Sequence, residues 1–384
     1  MPPRCALAAL ALLTWACAGP AVPDLVITNA RVFTNDAARP WAEAVAVKGQ
    51  RVVAVGGAAA VAASAGPATR VIDAGGRVLV PGFNDARVDL PLAPPSPDAL
   101  SALDRQAIAR GVTSLQVVAG GPMRGLVVAA QQAPRAARWR LIRSPMDGER
   151  PQDEEPFLPP QPGDRLVANG IAWTLGLVEP KRAGVEAGRL PMIVGWAYGA
   201  EDPLIVAVQG SASAWAAALH DAGLADVWRR KRPRIDQFAH QPLSDLPALA
   251  RLGAVVTFVP PAVTADGPPK AASGALVDAG LTLALGTAGR MPLAEVLALA
   301  LTDHVQVGGR ALTRDEAVRA MTWGGAYAEK SERDKGWLGP GTLADLAVLS
   351  GDVFTAAPDR LASTTSVLTV VGGTIVYDPG VLTK

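Results

Sequence analysis

Eight short runs of β-branched and aliphatic residues, separated for the most part by helical patterns, restrict this 384-residue chain to few architectures. The strand-like runs are Val78 to Phe83, Thr113 to Val118, Arg138 to Arg143, Arg165 to Thr174, Leu204 to Val208, Arg234 to Phe238, Ala254 to Val259 and Leu281 to Leu285. Helical periodicity recurs at Asp98 to Arg110, Ser213 to Ala222, Leu246 to Leu252 and Pro292 to Val305. Thr313 with Glu316 forms a capping-box pattern that opens a further helix through Ala328. Strands that alternate with helices pair in parallel, because a parallel partner is reached only through a crossover of a dozen or more residues. Eight such units over about 250 residues predict an α/β fold of the (β/α)8 barrel type. An open doubly wound sheet is the alternative.

The two ends of the chain read differently. Asp24 to Thr34 and Ala44 to Val55 are alternating strands, the second folded into a hairpin at Lys48-Gly49-Gln50, and Arg70 to Val80 adds a strand pair around Gly75-Gly76. Three or four short strands make a poor domain on their own. Strands return at Leu343 to Leu349, Ser366 to Val371 and Thr374 to Tyr377. The expected solution is one composite β-sandwich built from residues 24–80 and 338–380, with residues 81–337 inserted as the barrel. Ser144 to Gly163, dense in Pro and acidic residues, is a long irregular connection that would follow the third barrel strand as a lid or a solvated insertion.

MPPRCALAALALLTWACAGP has one early cation, a short apolar run and small residues, the pattern of an export signal over residues 1–17. Thr14-Trp15-Ala16-Cys17 is similar to a lipoprotein box with Thr14 where Leu is usual. Lipidation at Cys17 and ordinary cleavage near Ala16 or Ala18 both stay open. Either outcome places the chain in the cell envelope or periplasm and leaves at most one Cys, so no internal disulfide is expected. No later run approaches the roughly 20 apolar residues of a membrane span. A net charge of +1 argues against a nucleic-acid partner.

Val80 to Leu90, VPGFNDARVDL, joins the two kinds of structure and resembles the opening of the amidohydrolase superfamily, in which a strand and a Pro-Gly-Phe turn lead to His-x-His. DLVITNARVFT at the start, and LTRDEAVRAMTWGGAYA, KGWLGPGTLADLAVL and VVGGTIVYD at the end, are similar to the same family. The branch resembled is that of N-substituted formamide deformylases and related metal-dependent amidohydrolases. The resemblance implies a barrel inserted in a terminal sandwich, hydrolysis of non-peptide carbon-nitrogen bonds, and one or two divalent metals that lower the pKa of a bound water.

The positions that hold those metals in the family are filled here by other residues. Arg87 and Asp89 stand for the first two histidines, Ala172 for the bridging Lys, Ala207 and Gln237 for the later histidines, and Ala288 for the catalytic Asp. A site of four histidines is also excluded by a chain that has three. His220 and His304 lie in helical patterns; His240 alone follows a strand closely.

The remaining candidates for the mouth are Asp85, Arg87, Asp89, Asp236, Gln237 and His240. Residues two apart on a strand share a face, so Asp85, Arg87 and Asp89 are expected on one side. A guanidinium at Arg87 is expected to pair with Asp89 or Asp236 and replace the metal's charge; a surface Arg on a relaxed loop is the other reading. The expected function is that of an exported amidohydrolase-like protein that has lost metal-dependent hydrolysis, needs no cofactor, and binds a small molecule or a protein partner. Two alternatives remain. One is an active carbon-nitrogen hydrolase with one zinc or manganese ion held by Asp89, Gln237 and His240, with Asp236 close by. The other is a structural envelope lipoprotein whose barrel mouth is packed shut.

Overall fold

The computed structural model describes residues 22–91, 95–120, 123–144, 164–174, 205–209, 226, 229, 232–236, 246–259, 273–303 and 309–383. The export signal with Cys17, the 145–163 connection, the 213–222 helix, Gln237 and all three histidines lie outside these residues.

Eight parallel strands form one sheet in unbroken sequence order: β8 (Phe83–Leu90), β9 (Val112–Gly120), β10 (Arg138–Ser144), β11 (Leu166–Thr174), β12 (Ile205–Gln209), β13 (Arg234–Asp236), β14 (Val255–Phe258) and β15 (Thr282–Leu285). A doubly wound sheet reverses its strand order at a switch point, and this sheet has none. The loop after β15 reaches β8, where the Thr287 and Ala288 amides donate to the Arg87 carbonyl at 3.1 and 2.8 Å. Helices at Pro97–Ile108, Met123–Gln132, Leu246–Arg251, Ser273–Asp278 and Leu293–Ala300 turn apolar residues into the shared core. The first begins at Ser96, whose side chain accepts from the Ala99 amide.

The terminal strands divide between two sheets. β1 (Leu25–Thr28), β4 (Ala44–Lys48), β5 (Arg51–Gly56) and β6 (Arg70–Asp73) form a sheet ordered β5-β4-β1-β6. β2 (Arg31–Phe33), β3 (Trp41–Ala42) and β7 (Val78–Pro81) join β16 (Leu346–Leu349), β17 (Ser366–Val371) and β18 (Thr374–Tyr377) in a sheet ordered β18-β17-β16-β7-β2-β3. Ile27, Val45 and Ile72 from the first sheet share a buried cluster with Val32, Leu79, Val348 and Leu368 from the second.

Three local expectations are corrected. Asp24 to Thr34 is not one strand, because Asn29 adopts φ 51° and passes the chain from the first sheet to the second. The residues around Gly75 and Gly76, at φ +63° and +74°, do not make a hairpin; β6 and β7 enter different sheets. Val78 to Phe83 is likewise two elements. β7 pairs with β2 and β16, and the first strand of the eight-stranded sheet starts at Phe83. Gly82 makes the break possible, since a Cβ there would overlap the Thr113 side chain.

Thr313 and Glu316 form the capping box in both directions, with Thr313 N donating to Glu316 Oε2 at 2.8 Å and Glu316 N to Thr313 Oγ1 at 3.3 Å. The helix that follows does not run evenly to Ala328. Arg314–Arg319 gives way to a π-turn at Ala320–Gly324 before the helix resumes at Gly325–Ala328. Gly324 at the end of this turn and Gly325 at the start of the next helix pack directly on the eight-stranded sheet. A Cβ at Gly324 would overlap the Leu283 carbonyl, and one at Gly325 would lie 2.7 Å from Asn84 Cβ.

Gly324→Ala is therefore expected to lower the unfolding free energy by about 3 kcal/mol, although Ala is the better helix former. Gly56→Ala, whose nearest neighbours would lie at 3.8 Å, should stay within about 0.5 kcal/mol of the parent. Urea unfolding monitored by circular dichroism compares the two.

Candidate functional site

The strands place an unusual number of charges inside the sheet. Arg234 and Asp236 are two apart on β13, so their side chains leave the same face, and both are fully buried. Arg234 Nε donates to Asp236 Oδ1 at 2.5 Å, and its Nη atoms donate to Gln116 Oε1 and to the Ala86 carbonyl. Arg87, 3% exposed, approaches the same carboxylate from β8, with Nη1 2.7 Å from Asp236 Oδ2. Its Nη2 lies 2.8 Å from Asp89 Oδ1. Asp236 is thus shared by two guanidinium groups, and Arg87 by two carboxylates.

The network continues through the sheet. Gln116 on β9 donates to Asn84 Oδ1 at 3.0 Å and to the Gly325 carbonyl at 2.8 Å. Asn84 donates to Glu329 Oε1 at 2.6 Å. Glu329 also takes Arg140 Nε at 2.7 Å and Lys335 Nζ at 2.6 Å, and Lys335 donates to Ser114 Oγ at 2.7 Å. A continuous line of buried polar contacts therefore joins Lys335 at one end to Asp89 at the other.

Burial pushes the Asp236 carboxyl up, but Arg234 and Arg87 more than offset it and hold it below the usual carboxylate range. Burial opposes charge on Arg87 as well, and Asp236 and Asp89 reverse that effect, raising its pKa above the ordinary value. Glu329 is likewise pushed up by burial and pulled down by Lys335 and Arg140, to about 2. Carboxylates stabilised this strongly as anions are weak bases, so Asp236 and Glu329 are poor candidates for proton abstraction near neutral pH.

Asp85 does not share the face of Arg87 and Asp89. Between the pairs Asp85 with Leu115 and Val88 with Val117, the two residues Ala86 and Arg87 oppose Gln116 alone. This β-bulge shifts the alternation by one residue. Arg87 meets Asp236, while the Asp85 side chain accepts from Thr287 N at 3.0 Å and Thr287 Oγ1 at 2.6 Å. Burial raises the Asp85 carboxyl to about 7 against the pull of those hydrogen bonds.

The structure thus brings Arg87, Asp89 and Asp236 together. Ala288 is buried at φ 52°, and its side chain packs in a small apolar cluster with Val259 and Met291. Ala172 and Ala207 fall on β11 and β12. Sequence reasoning missed Asn84, Gln116, Arg140, Arg234, Glu329 and Lys335. Only Arg234 carried a signal, through its spacing from Asp236.

The described donors do not fit a divalent metal. The guanidinium of Arg87 lies between Asp89 and Asp236, so a metal bound by those carboxylates would face a permanent cation. Among the described residues, no three His, Cys, Asp or Glu side chains are grouped to hold an ion.

Comparison with known proteins points to one family. The amidohydrolase family model matches residues 199–377. N-substituted formamide deformylase of Arthrobacter pascens is 43% identical over 77 residues, which are 20% of this chain and 14% of that protein. Imidazolonepropionase of Saccharopolyspora erythraea is 35% identical over 118 residues, 30% of each chain. These matches span less than a third of either relative. The crystal structure of atrazine chlorohydrolase TrzN from Arthrobacter aurescens TC1, complexed with zinc, superposes with a TM-score of 0.66 at 18% identity, covering 92% of this chain and 95% of that one.

Two outcomes test the charge arrangement. Asp236→Ala leaves two buried cations without their common partner and is expected to cost about 3–5 kcal/mol. Arg87→Met should cost less, about 1–3 kcal/mol, since Asp236 keeps Arg234. The second outcome concerns pH. Unfolded Asp85 ionises near its ordinary value of 3.8, whereas the folded protein holds the proton to about 7. The protonated group's contribution is full below the lower value and is lost as pH rises through the higher one. The stability of the parent relative to Asp85→Asn should therefore fall by up to about 4 kcal/mol between pH 4 and 7, measured by urea unfolding across that range.

Proposed function

We propose that this chain belongs to the amidohydrolase superfamily, a reading supported by the family-model match over residues 199–377 and the similarity to N-substituted formamide deformylase, and that it is an exported binding protein on a carbon-nitrogen hydrolase scaffold, in which metal-dependent hydrolysis has been given up. The observation that carries this reading is the buried contact of Arg87 with Asp236 and Asp89. Hydrolysis by the family's route needs a cation that polarises a carbonyl and ionises a water. A guanidinium supplies the charge but has no open coordination position and cannot deprotonate water at neutral pH. It therefore preserves the electrostatic balance of the mouth without the reactivity.

The same reading takes the eight-stranded sheet as a closed (β/α)8 barrel and the two terminal sheets as one composite sandwich. Support comes from the unbroken strand order, from the hydrogen bonds that join the loop after β15 to β8, and from the sharing of one sheet by strands of both termini. The barrel then runs from Phe83 to about residue 337, and Arg87 lies toward the mouth in the C-terminal half of β8. The export-signal pattern and the lipoprotein-like Thr14-Trp15-Ala16-Cys17 support a location in the envelope with a lipid anchor at Cys17. The mouth offers a small molecule Asp89, the partly exposed member of the Arg87 set.

Elemental mass spectrometry of the mature protein, produced from residue 18 with zinc and manganese supplied and then dialysed, is expected to find far less than one equivalent of either metal. One equivalent or more would reverse the reading and direct attention to Asp89, Gln237 and His240 as ligands of an active hydrolase. In cells, labelled palmitate should enter the full-length chain and be lost from Cys17→Ala.

A further inference from the structure

A separate cavity of about 220 Å³ lies between the helix Pro97–Ile108 and strands β8 and β9, away from the Arg87 set. Val88, Leu103, Val112, Leu115 and Met291 give it apolar walls. Asp85, buried at 4% exposure, is its one acidic lining residue. Gln106 and Arg290, both exposed, and the half-buried Arg110 also line it, so positive charge gathers toward the solvent side.

The carboxyl group of Asp85 has an unusual position. Oδ1 accepts from the amides of Thr287 and Arg87 at 3.0 and 3.2 Å, and Oδ2 accepts from Thr287 Oγ1 at 2.6 Å. A carboxylate offers about four acceptor positions, so one on Oδ2 remains. None of the ion pairs among the described residues includes Asp85, and the nearby charge that acts on it is that of Asp89, of the same sign. A buried carboxylate without a cation is costly, and here the cost is met beside an open space.

We propose that this cavity binds a small zwitterion with a short unbranched aliphatic body, its ammonium on Asp85 and its carboxylate at Arg110. The ammonium would supply the missing counter-charge and fill the remaining acceptor position of Oδ2. The methylene chain matches walls of Val88, Leu103 and Met291. The carboxylate end meets the guanidinium of Arg110 in the field of Arg290. A simple alkylamine would leave its uncharged end beside two arginines, and a simple carboxylate would place aliphatic carbon against Asp85. Both ends together select an ω-amino acid. The proposal is independent of the reading of the barrel mouth, since it uses the other side of β8.

Isothermal titration of the mature chain with ω-aminopentanoate, n-pentylamine and pentanoate tests it. Saturable binding of ω-aminopentanoate, at least about tenfold tighter than either monofunctional analogue, is the expected result. Asp85→Asn should weaken that binding at least about tenfold, and Arg110→Gln by a smaller factor. Because Asp85 also holds the Thr287 loop, Gln106→Trp provides a second test: an exposed position whose indole would obstruct the cavity and abolish binding while the melting temperature stays unchanged. Absence of binding, equal affinity for pentanoate, or affinity indifferent to both Asp85→Asn and Gln106→Trp would overturn the proposal. Metal content bears on the mouth alone, so the two readings fail separately.

Discussion

Asp236 is the group on which the interior depends. It is fully buried, and it holds two guanidinium groups that arrive from strands on opposite sides of the sheet order, Arg234 from its own strand and Arg87 from the first. Each of these charges would be prohibitive alone, because taking an ion out of water costs several kcal/mol even after the surroundings relax. Together they are tolerable only in one geometry. That requirement fixes β8 against β13 more tightly than apolar contact could, since aliphatic side chains can slide and repack whereas a carboxylate shared at 2.5 and 2.7 Å cannot.

The bulge in β8 follows from this demand. A regular strand would send Asp85, Arg87 and Asp89 to one side and crowd a third carboxylate around a cation that Asp89 and Asp236 already share. The extra residue at Ala86–Arg87 sends Asp85 outward to Thr287 and keeps Arg87 for Asp236. One irregularity thereby separates two acids into environments of opposite effect: Asp236 is held as an anion by cations, and Asp85 is made reluctant to ionise by burial. At the other end of the network, the π-turn brings Gly324 and Gly325 onto the sheet and delivers the Gly325 carbonyl to Gln116. Both departures from regular structure serve polar groups, as irregular backbone commonly does.

The strands and their parallel order were legible because periodicity reports burial, and buried strands are long enough here to show it. Arg138 to Arg143 and Leu281 to Leu285 each mark a strand to within a residue. What periodicity does not report is a change of partner without a change of direction. Asn29 and Gly82 each divide an apparently continuous run because backbone conformation and clearance, not hydropathy, decide where a strand leaves its sheet. The same limit applies to the site. Arg87 stood out because it occupies a position that the resembled family fills otherwise, and Asp236 because it is an acid beside another such position, Gln237. Glu329 and Lys335 did not, since nothing in a run of residues after a helix signals that two cations and one amide will converge on one carboxylate.

Ala288 has a cost of its own. Its φ of 52° lies in the left-handed region, where a β-carbon is penalised by about 1 kcal/mol and where Asn and Asp are the side chains best accommodated. The backbone of the last loop thus keeps a shape suited to a short polar residue while carrying an apolar one. Asn or Asp would take up that backbone conformation with less strain than Ala does. That one backbone position is consequently easier to refurnish than the Asp236 network, where removing any one charge strands another.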